Sequence, residues 1–546
     1  VRLVTVAEMQ AIERQADASG LSYAMMMENA GLGLAQVVSE VYGHLVTRGV
    51  CGLIGSGNNG GDTLVALTHL ANQGWITSAY LVRKRPSDDP LVERLRAAGG
   101  KILTIEDDVD FRKLTEELSK SAILLDGVLG TGIQLPVRGK VAEALEKTRR
   151  ELDELPQKPL VVAVDCPSGV DCDSGEAAAE CIPADLTVTM AAVKTGLLRF
   201  PANNLIGKLR VVGIGLEQEG LNLEVWQAIK RHVADEDMVR RLLPDRPRDA
   251  HKGTFGTALV VAGSVNYTGA ALLAGKAAYR CGAGLVTLAV PAPLHAVLAG
   301  QFPEATWLLL PHEMGVIAAE ATEVIRENLD RATAMLIGPG LGLEEETRDF
   351  LVRLLGSVPQ GRRIGIGFAP ASSKGGSAIR EKLPPLVVDA DGLKLLARLP
   401  EWAKSLPAPA VLTPHPGEMA ILTGLQVGDI QANRIEIAER YAQEWGHVVV
   451  LKGANSVVSA PDGRTVLIPV ASAALARAGT GDVLAGLIVG FRAQGFEAFE
   501  AAVSGSWIHA ESGLRAAQTL GSTAAVLAGD VLEAVVGVMG RMEAGG

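Results

Sequence analysis

Late in the chain, Ala478-Gly479-Thr480-Gly481-Asp482 runs into Val-Leu-Ala-Gly, a glycine-rich turn feeding a helix. Gly479 and Gly481, with Thr480 between them, let backbone N–H groups face an anion at a helix start. A carboxylate does not itself bind phosphate. Asp482 in the mouth of such a loop therefore suggests a general base that deprotonates a hydroxyl beside a phosphoryl group. The same residues would also serve as an ordinary loop in which Asp482 caps the helix.

A second set lies near the other end. Gly55-Ser56-Gly57-Asn58-Asn59-Gly60-Gly61-Asp62 sits between a strand and the helical stretch 63–74. Its glycines permit close approach to a phosphate at a helix N-terminus. The spacing is not the usual dinucleotide fingerprint, and the Asn carbonyls add oxygen donors for a monovalent or hard cation. A tight turn capped by Asp62 is the plainer alternative. Asp126 ends one strand, and Asp165 ends another and leads to Ser168. Two carboxylates at the tips of parallel strands should converge on one crevice. The loop Gly130-Thr131-Gly132-Ile133-Gln134-Leu135-Pro136 offers further backbone donors to an anionic ligand. Each Asp alone could simply cap a turn.

The second half carries five more such motifs at successive strand ends: Ala262–Ala270 with Tyr267, Gly338–Gly342 with Gly340, VVDADG (387–392), Thr413–Glu418 with His415, and Lys452-Gly453-Ala454-Asn455-Ser456. Asp389 and Asp391 could hold a water-bound Mg²⁺. Flanking prolines fix the placement of His415. Lys452 puts a cation where nucleotide phosphates could lie.

Short apolar strands alternating with amphipathic helices must position these residues. One block runs to about residue 228, and dense charge with breakers over 234–253 reads as a junction before the second. Both blocks are expected to be parallel sheets with helices on both faces, binding ligands at the carboxyl ends of their strands. The stretch 361–382 reads as a mobile, Gly- and Ser-rich surface insertion. Of the 546 residues 48% are apolar, and the formal net charge is −11. That composition suits a soluble α/β enzyme and lacks the basic footprint of a nucleic-acid binder. No apolar run is long enough for a membrane span, and the start has no signal-peptide layout. Five cysteines without CxxC spacing read as reduced cytoplasmic thiols.

MENAG (27–31), GSGNNGGD (55–62), LLDGVLGTG (124–132) with PVRG (136–139), and VDCPSGVD (164–171) resemble the NAD(P)HX epimerase domain. Thr63 stands where family members often have Gly. HKG (251–253), the Tyr267 segment, GPGLG, VVDADGL, LTPHPGE, LKGA and AGTGDVLAG resemble, in order, the ADP/ATP-dependent NAD(P)HX dehydratase domain. The resemblance implies two three-layer αβα domains: a Rossmann-like epimerase over 1–228 and a ribokinase-like dehydratase over 229–546. It implies that Asn58–Asp62, Gly130–Pro136 and Asp165 hold the hydrated dinucleotide in the first domain, with Asp165 as acid/base at nicotinamide C6. It implies K⁺ on Asn59, Asp126 and Ser168.

In the second domain Asp482 would deprotonate the C6 hydroxyl of the S hydrate, which attacks the terminal phosphoryl group of ADP or ATP. Loss of phosphate then gives NADH or NADPH. Lys452–Ser456 with Gly479, Thr480 and Gly481 would contact the nucleotide. Tyr267, Gly340 and His415, with Asp482, would hold the hydrate. The expected partners are NADHX and NADPHX, with no nucleic acid and no membrane, in a cytoplasmic homo-oligomer, a tetramer or larger. A ribokinase-like small-molecule kinase with an accessory domain, or a non-catalytic dinucleotide-binding regulator, are the competing readings.

Overall fold

The structure, a computed structural model, describes residues 1–356 and 383–544. The 361–382 stretch lies outside the described residues. The chain divides into two compact units, Val1–Arg231 and His232–Gly546.

In the first unit the short apolar runs form β1 (Val50–Ile54), β2 (Thr77–Leu81), β3 (Lys101–Thr104), β4 (Ile123–Gly127), β5 (Leu160–Val164), β6 (Leu186–Met190) and β7 (Lys208–Val212), all parallel, in the spatial order 3-2-1-4-5-6-7. The first six places of that order are those of doubly wound dinucleotide-binding sheets. Side chains alternate across the sheet as strand geometry requires. Val50 and Ile54 enter one core with Ile123, Leu125 and Val164, whereas Cys51 and Leu53 enter the opposite core with Tyr80 and Leu124. Both faces are therefore covered, which is why the central strands β1, β4 and β5 are almost wholly apolar, whereas the edge strands β3 and β7 carry polar, partly exposed residues. Helices α1 (Val6–Ala18), α2 (Tyr23–Tyr42) and α3 (Asn58–Asn72) cover the first face. The start of α1 is fixed by a capping box, with the Thr5 side chain accepting from the Glu8 N–H and the Glu8 carboxylate accepting from the Thr5 N–H. Just before it, Leu3–Val4 pairs in parallel with Val193–Lys194. That two-residue pairing ties the chain start to a segment some 190 positions away, as the register Val4↔Lys194 shows.

The second unit holds β8 (Arg231–Val233), β9 (Thr257–Val261), β10 (Leu285–Pro291), β11 (Thr306–Leu310), β12 (Ala334–Ile337), β13 (Leu386–Val388), β14 (Val411–Leu412), β15 (Val448–Leu451), β16 (Val457–Ser459) and β17 (Thr465–Leu467) in one sheet, ordered β8-β17-β16-β15-β14-β13-β12-β9-β10-β11. β9 to β15 are parallel, and β16 and β17 add an antiparallel extension. Counted from β9, the parallel run again reads 3-2-1-4-5-6-7. Val260, Leu336 and Val387 face a core with α4 (Thr268–Arg280), α5 (Thr480–Ala493), α6 (Ala498–Leu520) and α7 (Ala528–Ala544), while Val261, Ile337 and Val388 face the other with the helices Ala321–Arg326 and Glu345–Leu355. Each unit is thus the three-layer αβα architecture expected. In α5, Gly486 meets the backbone of α4 so closely that a Cβ there would stand 2.2 Å from the Ala274 carbonyl oxygen. Small residues seat that helix, and Asp482 at its start, tightly on the layer. No helix among the described residues is long and apolar enough to cross a membrane.

Candidate active sites

In the first unit the strand order reverses between β1 and β4, and a cavity of about 630 Å³ opens there. Its wall includes Ser56–Asn59 and Asp62 after β1, Gly130–Ile133 after β4, Asp165 after β5, and Lys194. Asn58, Asn59, Gly60, Gly61 and Asp62, expected in a turn, lie in the opening of α3, whose N-cap is Gly57. Gly60 and Gly61 are buried there and do not line the cavity, and neither do Gln134, Leu135 and Pro136. Thr63, the departure from the family pattern, is accommodated by Gly127 opposite it, where a Cβ would lie 1.9 Å from Thr63 Oγ1.

Asn59, Asp126 and Ser168 converge. The Asn59 amide donates to the carbonyls of Val164 at 2.6 Å and Leu129 at 3.2 Å. Ser168 donates its N–H at 2.8 Å and its hydroxyl at 2.5 Å to Asp126. Asp126 is fully buried and forms no ion pair among the described residues; burial pushes its carboxyl up, against the Ser168 hydrogen bonds. A buried carboxylate without a cation, ringed by carbonyl and hydroxyl oxygens, is a donor set that fits a monovalent cation.

Asp165 stands at φ +63, in the left-handed region that Asp tolerates better than most residues. Its Oδ1 accepts from the Thr189 hydroxyl at 2.9 Å, the Met190 N–H at 3.0 Å, and the Lys194 ammonium. Lys194 is 1% exposed and also donates to Thr189 Oγ1 and the Met190 carbonyl. All three ammonium protons are thus satisfied, which is what a buried lysine needs. Two further carboxyls face this pair. Asp62 is pushed well above its ordinary range by burial and by Asp165 and Glu13. Glu13, on α1, is raised by burial and by Asp165 against the pull of Lys194 and Arg14. Sequence reading missed Lys194, which lies four residues beyond β6, and Glu13, which α1 brings in after the Leu3–Val4 pairing.

In the second unit the motifs assemble around the start of α5. Gly479, at φ +88, is its N-cap, so Asp482 is not the cap but the third residue of the helix. The N–H groups of Gly481 and Asp482 find no acceptor among the described residues. Burial, with Asp389 and Asp391 against Lys452, raises Asp482 to about 7, the range a base at neutral pH needs. Lys452 stands 3.5 Å from where a Cβ on Gly481 would be. It is not a free cation: its Nζ lies 2.6 Å from Asp389 and 3.7 Å from Glu418. Burial alone would lower Lys452, but these carboxylates outweigh it and hold it above its ordinary value. Asp389 also accepts from Thr413 at 2.7 Å, while Asp391 accepts from Lys394 at 3.0 Å and from the Gly342 N–H at 3.1 Å. With a lysine on each, Asp389 and Asp391 do not fit a directly coordinated divalent ion.

Gly340 packs on Tyr267, whose Cβ would stand 2.7 Å from one added to Gly340, so those two motifs meet. Tyr267 is half exposed. His415 is the N-cap of the helix Pro416–Thr423: its Nδ1 accepts from the Gly417 and Glu418 N–H groups at 3.0 and 3.3 Å, and its own N–H donates to Glu418. Its Nε2 lies 3.3 Å from Glu418 Oε1, so both ring nitrogens already have partners. In the 452–456 loop, Gly453 donates to the Ser456 hydroxyl at 3.2 Å, Asn455 is buried at φ +52, and Ala454 is exposed. Arg434, unmarked in the sequence, donates to the Leu451 carbonyl at 2.9 Å beneath this loop, and burial lowers it to about 10.

A parallel sheet with carboxylates at its switch point, followed by a second with a carboxylate on a phosphate-type helix start, defines a two-site α/β enzyme. A family model described as "YjeF-related protein N-terminus" matches residues 23–196, and one described as "NAD(P)H-hydrate dehydratase" matches 258–360 and 363–535. The chain is 35% identical over 552 residues to the bifunctional NAD(P)H-hydrate repair enzyme Nnr of Moorella thermoacetica, covering 99% of this chain and 97% of the relative. It is 36% identical to the enzyme of the same name from Salinibacter ruber, covering 92% and 90%. A solved structure, the ADP/ATP-dependent NAD(P)H-hydrate dehydratase of Bacillus subtilis co-crystallised with ATP/Mg²⁺, is 29% identical with a TM-score of 0.46, covering 58% of this chain and all of that one. The chain belongs to the family of bifunctional NAD(P)H-hydrate repair enzymes.

Proposed function

We propose that the first unit interconverts the R and S hydrates of NADH and NADPH at C6, and that the second dehydrates the S form to NADH or NADPH using ADP or ATP. The observation that carries this reading is the contrast between the two carboxylate sites. Asp165 sits in a cavity wall with other carboxyls and one buried lysine, a setting for moving protons. Asp482 sits at a helix start beside free N–H groups and Lys452, a setting for moving a phosphoryl group.

In the first unit the free N–H groups at the start of α3 and the 130–133 loop hold the phosphates of the dinucleotide, and Asp165 meets the nicotinamide ring. K⁺ on Asn59, Asp126 and Ser168 would neutralise the buried Asp126 and hold the Leu129 and Val164 carbonyls in place. In the second unit Asp482 takes the C6 hydroxyl proton, and the oxygen attacks the terminal phosphoryl group. The N–H groups of Gly481 and Asp482 and the Lys452 ammonium stabilise the charge in transfer. Loss of phosphate, driven by the ring nitrogen's electron pair, leaves an iminium at C6, and release of a C5 proton to water then restores the reduced ring. Lys452–Ser456 and Gly479–Gly481 face the nucleotide, and Tyr267 and Gly340 the hydrate. Mg²⁺ belongs with the nucleotide phosphates rather than with Asp389 and Asp391.

The test supplies mixed R/S hydrate with ADP, with ATP, or with neither, and follows the absorbance of the reduced nicotinamide. Full recovery of both epimers with nucleotide, and none without, is expected. A phosphorylated product that accumulates in place of NADH or NADPH would establish a kinase instead.

A further inference from the structure

The epimerase cavity holds three carboxyls, Glu13, Asp62 and Asp165, around one buried lysine. Their partners are unequal. Asp165 receives the Lys194 ammonium, a hydroxyl and a backbone N–H. Lys194 spends its remaining protons on Thr189 and Met190, so it gives none to Asp62. Asp62 is 7% exposed and lines the cavity, and its carboxyl makes no hydrogen bond or ion pair with the described residues. A carboxylate in that position would be desolvated, unpaired and beside a second carboxylate. The same group carrying its proton needs no cation and keeps a donor for whatever enters.

We propose that Asp62 is the general acid of the epimerase and Asp165 its general base, the two acting on the C6 hydroxyl. This rests on the epimerase reading of the first unit. The Asp62 carboxyl gives its proton to the C6 hydroxyl, and the C6–O bond breaks with its electron pair, releasing water. The N1 lone pair forms an iminium with C6, and the ionised Asp165 balances its charge. Water adds to the other face of C6 and passes a proton to Asp165. That proton returns to Asp62 through the cavity water, so each cycle consumes and releases one water and leaves both carboxyls as they began.

The charged groups around Asp62 are accounted for. Glu13 and Arg14 face it from α1, Asp165 and Lys194 from the sheet side, and Arg83 from the cavity rim. On the neighbouring helices, Glu28 is held by Arg94 and His69, and Asp89 by Arg85. Glu13 is more exposed than Asp62, which makes Asp62 the better-shielded donor.

The test is Asp62→Asn in the full chain, with epimerisation and S-hydrate dehydration measured separately and Asp62→Glu as the conservative partner. Asp62→Asn should lower the epimerisation kcat by at least about 10²-fold with KM little changed. Its dehydration of S hydrate should stay at the wild-type rate, and the thermal unfolding of its first unit should match the wild type, which shows that this unit folds. Wild-type epimerisation should fall as rising pH takes the proton from Asp62. That limb should vanish in Asp62→Asn and persist in Asp62→Glu, which also regains part of the rate. In isotopically heavy water oxygen, inversion should carry solvent oxygen into the C6 hydroxyl. Asp62→Asn turning over near the wild-type rate, a falling limb unchanged in it, or inversion without solvent oxygen would each overturn the assignment. A wild-type chain that does not epimerise would instead overturn the epimerase reading itself.

Discussion

Asp165 and Asp482 stand beside parallel runs with the same strand order, 3-2-1-4-5-6-7, and each comes near a lysine, Lys194 buried and Lys452 partly buried. The lysines are used differently. Lys194 is committed to Asp165 itself, together with a hydroxyl and a carbonyl, so the ion pair is closed and its ammonium has no proton left for a ligand. Lys452 is committed to Asp389 and Glu418, not to Asp482, and its ammonium stays poised over the start of α5. One framework therefore supports a proton relay where the lysine pins the working carboxylate. It supports phosphoryl transfer where the lysine is held by other carboxylates beside free backbone N–H groups.

The comparison breaks most visibly at Lys452. Lys452→Met removes the cation nearest the transferring charge and should lower nucleotide-dependent dehydration by roughly 10²–10³-fold, while leaving epimerisation alone. Dehydration near the wild-type rate would remove Lys452 from the phosphoryl site.

Lys194→Met is the matching change in the other unit, and it should act on stability first. It leaves Asp165 buried without its cation, a loss of about 3–5 kcal/mol for a broken buried pair. Thermal unfolding should show the first unit melting earlier, with S-hydrate dehydration retained below that transition. An unchanged melting profile would mean that the pair adds no stability.

The smallest of these effects is with pH. Asp482 is raised to about 7 and must be ionised to accept a proton, so kcat/KM for dehydration should climb as pH rises through that value. Well below it the rate should fall roughly tenfold per pH unit. A dehydration profile flat from acid to neutral pH would contradict the assignment of Asp482 as base.

Much of this contrast is legible in the sequence, because strand-end motifs report their own positions. Asp126, Asp165 and Ser168 end or follow apolar runs, and the sheet order brings them together. Gly479–Asp482 announces a helix start. What stays hidden depends on long-range pairing. Lys194 follows a short strand with no glycine or carboxylate to mark it, and Glu13 reads as one charge among several on an amphipathic helix. The end of β6 and the register Val4↔Lys194 together place them beside Asp165. Polar partnerships are hidden in the same way. Lys452 looks like a phosphate cation until Asp389 and Glu418 are seen on it, and His415 looks like a ligand until its Nδ1 is found capping its own helix.

Separable work by the two carboxylates on one substrate is tested by a crossover of two variants on mixed R/S hydrate with ADP or ATP. Asp482→Asn should restore no NADH or NADPH while the epimers still equilibrate. Asp165→Asn should restore the S portion at the wild-type rate and lag on the R portion. Equal rescue of both epimers by Asp165→Asn, or any sustained rescue by Asp482→Asn, would contradict it.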